Sequence, residues 1–303
     1  MQTHPAEAAA RLLAELSARA GALLDAAGRV RAGEDDEAIH DLRVATRRLA
    51  ETLSLWRTAL ETAPARKARA GLARLRRALG DVRETEVHLD LLRLLARDAS
   101  PAEAGAVRLL RRRLEGRLAR ARHAAVRLAR HGRIARILRR VERAGTGLSH
   151  RIAHTPGLLA HTSGRAARRF ADARAALAHA RLTVPLADDA ALHSARIAVK
   201  KARYALESLA AIGEREDEVA VRELRRAQRD LGAVHDWAMF SAWIGHERER
   251  HARHASGVAA AEFAGGDEES ALALLAGRAA ERTEAARATF HAPTPAPRRE
   301  AGG

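Results

Sequence analysis

Long runs of strong helix formers constrain this chain more than any other feature. Ala, Leu, Arg and Glu dominate its 303 residues, whereas β-branched and aromatic residues are scarce. These proportions favour helix over strand. Apolar residues recur at spacings of three and four, as in Leu42, Ala45, Leu49, Leu53 and Trp56, so one face of that helix is apolar. The sequence therefore predicts an all-α fold of amphipathic helices packed on one another.

Glycine, proline and capping residues predict where the helices end. The predicted breaks lie at Gly33, Pro64, Gly80, Ser100-Pro101, 145–147, 156–157, Pro185, Gly213 and 265–266. Ser100 is also a predicted N-cap, because a serine followed directly by proline is typical of a helix start.

A short pattern occurs twice in the chain. His40–Leu49 recurs as His193–Ala202, and both share the sequence His-x-x-Arg-Val/Ile-Ala-x-basic-basic. A second match, Leu79–Glu84 against Leu231–Asp236, follows each copy at nearly the same offset. Two matched blocks in the same order predict an internal duplication.

The duplication predicts two helical bundles. Thr, Gly, His and Pro replace the helix formers between Gly145 and Gly157, which is where the join is expected. The predicted bundles cover residues 1–150 and 151–290. The remaining residues, 291–303, form a polar tail with three prolines and are predicted to be disordered.

The charge balance indicates an acidic partner. Lys and Arg number 54 against 38 Asp and Glu, which gives a formal charge of +16. Arginine carries nearly all of it, and its planar fork holds phosphate oxygens in pairs. A GC-rich genome would explain part of the preference for Arg over Lys, but not the excess of base over acid.

The absence of cysteine excludes thiolate nucleophiles, cysteine zinc sites and iron–sulfur clusters. No stretch is long and apolar enough for a signal peptide or a membrane span, so a soluble, cytoplasmic protein with no membrane partner is expected.

Each copy of the repeated pattern places bases on one side of a helix, because residues three and four apart share a face. The first stripe consists of His40, Arg43 and Arg47, with Arg48 on its shoulder. The second stripe consists of His193, Arg196, Lys200 and Arg203, with Tyr204 beside it. On a single helix, such a stripe is typically a solvated face. Its repetition favours an external anion, and steps of about 5 Å along each helix suit an extended polyanion.

These residues resemble the CHAD family, named as a conserved histidine α-helical domain. The resemblance rests on His40–Leu49, His193–Tyr204 and the two Leu-Gly elements at Leu79–Glu84 and Leu231–Asp236. It implies two antiparallel helical bundles related by pseudo-twofold symmetry, with a basic central surface or channel between them. It also implies inorganic polyphosphate as the ligand and association with polyphosphate granules.

The resemblance implies that ligand contacts come from both stripes and from Lys201. Arg83 and His235, in the two Leu-Gly elements, are further candidates. Arg76, Arg77 and Arg229, which lie shortly before those elements, complete the set. Some family members are fused to a β-barrel with a Glu-x-Glu-x-Lys signature, and this sequence contains neither that signature nor a strand pattern.

The sequence favours a binding protein without enzymatic activity or cofactor. Its partner would be polyphosphate, with divalent counterions carried by the polymer, and no protein partner is indicated. Protonation of His40 and His193 would strengthen binding as the pH falls toward about 6.5.

Two other functions stay open. A nonspecific nucleic-acid binder is favoured by Arg108–Arg151, which has 15 Arg against two Glu, although the few aromatic residues offer little base stacking. A phosphohydrolase would depend on acids such as Glu84 and Asp236, which nothing in the sequence marks as an acid/base pair. Asp236 could instead orient a base or cap a helix.

Histidine spacing provides little support for a bound metal. His150 and His154 are four residues apart, and His246, His251 and His254 form a cluster, but no third ligand follows at a usual spacing.

Overall fold

The computed structural model describes residues 5–33, 37–155, 157–182, 189–211, 218–257 and 265–292. All regular structure within these ranges is helical, which confirms the all-α class. The helices are α1 (Pro5–Ala32), α2 (Glu37–Leu55), α3 (Ala63–Ala96), α4 (Ala104–Leu128), α5 (His131–Gly145), α6 (Leu148–His154), α7 (Leu158–Leu182), α8 (Asp189–Ala210), α9 (Glu218–Gly257) and α10 (Gly265–His291). The predicted breaks at Pro156, Pro185 and Gly213 lie outside the described residues. The predicted tail, 291–303, begins too early, because His291 is the last residue of α10, and residues 293–303 lie outside the described part of the chain.

Several helix ends match the sequence signals. Thr62 caps α3 by accepting a hydrogen bond from the Ala65 N–H at 3.3 Å, and Pro64 lies in the first turn. Gly33 and Gly147 have φ of +68° and +70°, which favours glycine, and they separate α1 from α2 and α5 from α6.

The predicted break at Gly80 is wrong, because α3 continues through this glycine. A lone glycine costs a helix about 1 kcal/mol relative to alanine. Buried Leu75, Leu79 and Val82 hold the segment on both sides of it, so packing compensates for the weak helix propensity.

The predicted N-cap at Ser100 is also wrong, because α4 begins only at Ala104. Ser100 is instead the donor, giving hydrogen bonds from its N–H and its hydroxyl to the Glu103 carboxylate at 2.8 and 2.9 Å. These bonds close a turn before the helix, which delays its start.

Three hydrophobic cores hold the helices together. The first core joins α1, α2, the first half of α3, α5, α6 and the start of α7, and it contains the predicted apolar residues Leu42, Leu49 and Trp56. The shared core joins the second half of α3 and α4 to α9 and α10. The third core joins α7 and α8 to the first half of α9 and the last turn of α10. Helices α3, α7, α9 and α10 therefore each belong to two cores.

The helices pack in a repeated order. Helices α1 to α4 each contact the next, and so do α7 to α10. Helix α2 also packs on α8, and α3 on α9. The order agrees with the predicted duplication, which stays a prediction, as do the boundaries at residues 150 and 151. Helix α6 lies at the predicted join and packs against α1.

No helix in the described part of the chain is both long enough and apolar enough to cross a membrane.

Candidate functional site

A cavity of about 350 Å³ lies where α2, α3, α8 and α9 meet, and we call it the basic cavity. It is lined by Arg43, Arg47, Arg76, Gly80, Arg83, Glu84, Val87, His88, Arg196, Lys200, Gln228, Gly232, His235, Asp236 and Met239. Six of these side chains are Arg or Lys and only two are carboxylates. The lining therefore carries an excess of positive charge.

The burial of the apolar faces of α2 and α8 places bases of both stripes in the lining of the basic cavity. On α2, Leu42 and Leu49 are buried in the first core, so Arg43 and Arg47 lie on the opposite side. On α8, the buried Val199 packs into the third core while Lys200 lines the cavity. The structure thus brings together bases that the sequence places far apart.

The sequence-predicted residues fall into three groups. Those that line the basic cavity are Arg43, Arg47, Arg76, Arg83, Arg196, Lys200 and His235. Those that contact this lining are His40, His193 and Tyr204. His40 Nδ1 lies 3.4 Å from Arg43 Nη2, and the His193 and His235 ring centroids are 6.2 Å apart. Arg47 Nη1 donates a hydrogen bond to Tyr204 Oη at 3.2 Å, which links α2 to α8.

The third group lies outside the lining. Arg203 packs at 4.2 Å over the Tyr204 ring, donates to Gln228 Oε1 at 2.9 Å and pairs with Glu207, so it supports the site from behind. Arg48 lines a separate cavity of about 650 Å³ beside acidic residues. Three exposed residues are also absent from the lining: Arg77, Lys201 and Arg229.

Burial and crowding lower the basicity of the cavity bases. The pKa of Lys200 falls to about 7, first because of burial and then because Arg196 and Arg47 are close. The pKa of Arg43 falls to about 10 through burial and the nearby charges of Arg47 and Arg83. Keeping these bases charged in the empty cavity therefore costs free energy, and a bound anion would offset that cost.

Both histidines in the lining are neutral at pH 7. The pKa of His235 falls to about 4, through burial and then through Arg196 and Lys200. The pKa of His88 also falls to about 4, chiefly through burial. A neutral imidazole carries one donor nitrogen and one acceptor nitrogen, so each ring can hydrogen-bond without adding charge.

His88, Gln228 and Met239 line the basic cavity but are not predicted from the sequence. His88 packs against Phe240 and Trp243, with ring centroids 5.3 and 5.7 Å away, and neither of its nitrogens has a hydrogen-bond partner among the described residues. Its spacing from Gly80 and Glu84 on one side of α3 was the available signal.

The two carboxylates of the lining have different surroundings. Glu84 accepts a hydrogen bond from Arg117 Nη2 at 2.7 Å. Burial raises the pKa of Asp236, against the opposing charges of Arg196 and Arg83. Asp236 lies inside α9, so the predicted alternative of a helix-capping role is wrong.

Gly80 and Gly232 line the basic cavity from α3 and α9. In the part of the chain that the structure describes, a Cβ added at either glycine would meet nothing within 4 Å beyond its own surroundings in the helix. Packing therefore does not require glycine at these positions. Its effect is to leave space in which a ligand can approach the helix backbone.

The described residues contain no group of three side chains suited to hold a metal ion. His150 and His154 stack with ring centroids 4.0 Å apart. Of the other histidine cluster, the His254 side chain lies outside the described residues.

A family model described as the CHAD domain matches residues 14–245. The chain belongs to the CHAD family. The CHAD match includes every residue that lines the basic cavity.

Two solved structures resemble the chain. One is the crystal structure of the CHAD domain from the plant Ricinus communis, with 23% identity, a TM-score of 0.65 and coverage of 94% of this chain and 92% of that one. The other is PptA from Streptomyces chartreusis, with 24% identity, a TM-score of 0.68 and coverage of 93% and 97%. At these identities the likeness shows a shared CHAD fold. No match was found among curated proteins.

Proposed function

We propose that the basic cavity binds inorganic polyphosphate between the first and second stripes. The observation that carries this proposal is the convergence of Arg43 and Arg47 from α2 with Arg196 and Lys200 from α8 on one concave site. Elongated anions suit this arrangement, because the bases come from several turns of four helices and exceed what one phosphate group would need.

The chemistry of the lining fits a chain of phosphates. Arginine forks take pairs of phosphate oxygens, and the lysine adds a point charge. His235 and Gln228 add neutral donors. Burial lowers the pKa of Lys200 and Arg43, and repulsion from neighbouring bases lowers it further. A bound polyanion would offset that repulsion. A cavity of about 350 Å³ has the size of a small-molecule site, which a nucleic-acid duplex cannot enter.

We infer that the protein acts by binding and not by hydrolysis. Glu84 is engaged by Arg117, and Asp236 lies among bases that would hold phosphate. Such a protein would reside in the cytoplasm at polyphosphate granules. Release of inorganic phosphate over time that stops in an Asp236→Ala variant would contradict this inference.

The decisive test is competition at near-physiological salt. Duplex DNA and pyrophosphate are titrated as competitors against labelled long-chain polyphosphate. The proteins are wild type and a quadruple variant, Arg43→Ala, Arg47→Ala, Arg196→Ala, Lys200→Ala. A matched control replaces four exposed α5 arginines by alanine: Arg133, Arg136, Arg139 and Arg143. Circular dichroism checks that both variants stay helical.

We expect wild type to prefer polyphosphate over both competitors. The cavity variant should bind polyphosphate at least about 100-fold more weakly, since each charged hydrogen bond contributes about 1.5–3 kcal/mol. The α5 control should lose less than about 10-fold, through long-range charge alone. Equal competition by DNA per phosphate, or equal loss in the control, would contradict the proposal.

The exposed arginines of α5 favour nonspecific nucleic-acid binding as a second candidate function. The same experiment separates the two, because DNA binding on that surface would be lost in the α5 control and kept in the cavity variant.

A further inference from the structure

A second basic concavity, the α4–α9 cavity, has a volume of about 300 Å³. Helix α4 contributes Arg112, Arg113, Arg117 and Arg120, and α9 contributes Trp243 and Arg250. The only carboxylate in the lining is Glu247. Five arginines therefore face a single acid.

The ion pairs of this cavity leave part of its charge uncompensated. Glu247 is buried and pairs with both Arg113 and Arg250, the latter at 2.7 Å. Arg112 and Arg120 are exposed and form no ion pair within the described ranges. One carboxylate thus holds two arginines in place, and two others can bind an anion.

Gly116 forms part of the wall between these arginines. The Arg120 Nη1 atom lies 3.5 Å from the position that a Cβ of Gly116 would occupy. The guanidinium of Arg120 therefore lies back over the glycine, at the edge of the cavity, with its exposed side toward solvent.

The α4–α9 cavity adjoins the basic cavity through two contacts. Arg117 of the α4–α9 cavity donates a hydrogen bond to Glu84 of the basic cavity. Trp243 of the α4–α9 cavity packs against His88 of the basic cavity. A wall of two side-chain pairs therefore separates them.

The distance between the two cavities sets a length requirement. Asp236 and Glu247 belong to the same helix and line the basic cavity and the α4–α9 cavity respectively. At the α-helical rise their backbones are roughly 16 Å apart. Tripolyphosphate is too short to span this distance, whereas a long chain can.

We propose that the α4–α9 cavity is a second anion site that binds a later segment of the condensed phosphate chain held in the basic cavity, an inference that rests on the proposed function. Once one segment is bound, the second binds at high effective concentration. The protein thereby distinguishes long chains from short ones.

The test compares two ligands and two double variants. Tripolyphosphate and long-chain polyphosphate are titrated into wild type, into Arg112→Gln, Arg120→Gln, and into the control Arg133→Gln, Arg136→Gln. All four arginines are exposed, so the melting temperatures should stay within about 2 °C of wild type.

We expect the Arg112, Arg120 variant to lose about 10-fold in affinity for the long chain and less than about 2-fold for tripolyphosphate. The control should change less than about 2-fold for both ligands. An unchanged affinity for the long chain, or an equal loss for both ligands, would overturn the second site while leaving the basic cavity intact. Failure of wild type to bind either phosphate would instead overturn the proposed function.

Discussion

Arg47 of α2 and Lys200 of α8 occupy matching positions in the repeated pattern, yet their charges behave differently. Both line the basic cavity. Arginine stays protonated in proteins, and Arg47 has a partner in Tyr204. Lys200 forms no hydrogen bond or ion pair within the described ranges, and its pKa falls to about 7. At this repeated position, the first half of the site therefore carries a fixed charge and the second half a charge that depends on pH.

The sign of the pH effect follows from linkage. An unfolded lysine has a pKa near 10.4, so between pH 7 and that value the unfolded chain binds more protons than the folded one. Stability should rise with pH across this window as the cost of the buried charge disappears. Polyphosphate favours the protonated amine, so binding should take up protons and strengthen as the pH falls from 8.5 to 6.

The loss of polyphosphate affinity on substitution should distinguish Arg47 from Lys200. Arg47→Ala should weaken polyphosphate binding by about 10- to 100-fold at pH 6 and at pH 8.5, since a charged hydrogen bond is lost at both. Lys200→Ala should cost about as much at pH 6 but at least about 10-fold less at pH 8.5, where protonation itself costs free energy. Titration calorimetry at the two pH values measures both.

Lys200→Arg is the matched control, because it restores a permanent charge at the same position. It should remove the pH dependence of polyphosphate binding between pH 7 and 8.5. Equal losses for Arg47→Ala and Lys200→Ala at both pH values would show that the lowered pKa of Lys200 does not govern binding.

A smaller effect is expected at the two glycines that line the basic cavity from α3 and α9. Replacing both Gly80 and Gly232 by alanine should stabilise the protein by about 2 kcal/mol, since each helix gains about 1 kcal/mol and no clash arises. The same methyl groups occupy the basic cavity and should weaken polyphosphate binding. Thermal unfolding and titration of one sample would show the opposite signs, and unchanged affinity would mean that the ligand stays away from both glycines.

The smallest effect concerns the contact that joins the two stripes. Tyr204→Phe removes the hydroxyl that accepts from Arg47. It should lower the free energy of unfolding by about 0.5–1.5 kcal/mol in chemical denaturation. Binding should weaken less than in Arg47→Ala, because the guanidinium remains; an equal loss would show that Tyr204 itself contacts the ligand.

Local pattern accounts for what the sequence could predict. The periodicity of Leu42, Leu49 and Leu53 sets the buried face of α2, and the stripe on the opposite face follows from the same geometry. The repeated motif then placed Arg43 and Arg196 in one candidate site, and both line the basic cavity.

What the sequence could not predict depends on how helices meet. The break predicted at Gly80 rests on helix propensity, which is local, whereas the packing that keeps α3 continuous involves other helices. Arg203 belongs to the second stripe by spacing, but Gln228 and Glu207 hold its guanidinium behind the lining. The pairing of Glu84 with Arg117 likewise requires the distance between α3 and α4.

The shared core gives the site a fixed width. Leu92 of α3 and Phe240 of α9 are both buried in it, and the same two helices line the basic cavity. Widening the cavity would pull this core apart and expose apolar surface to water. The two halves should therefore unfold as one cooperative unit, and a ligand would stabilise the whole molecule. Because the receptor is preorganised, most of the conformational freedom lost on binding would belong to the polymer.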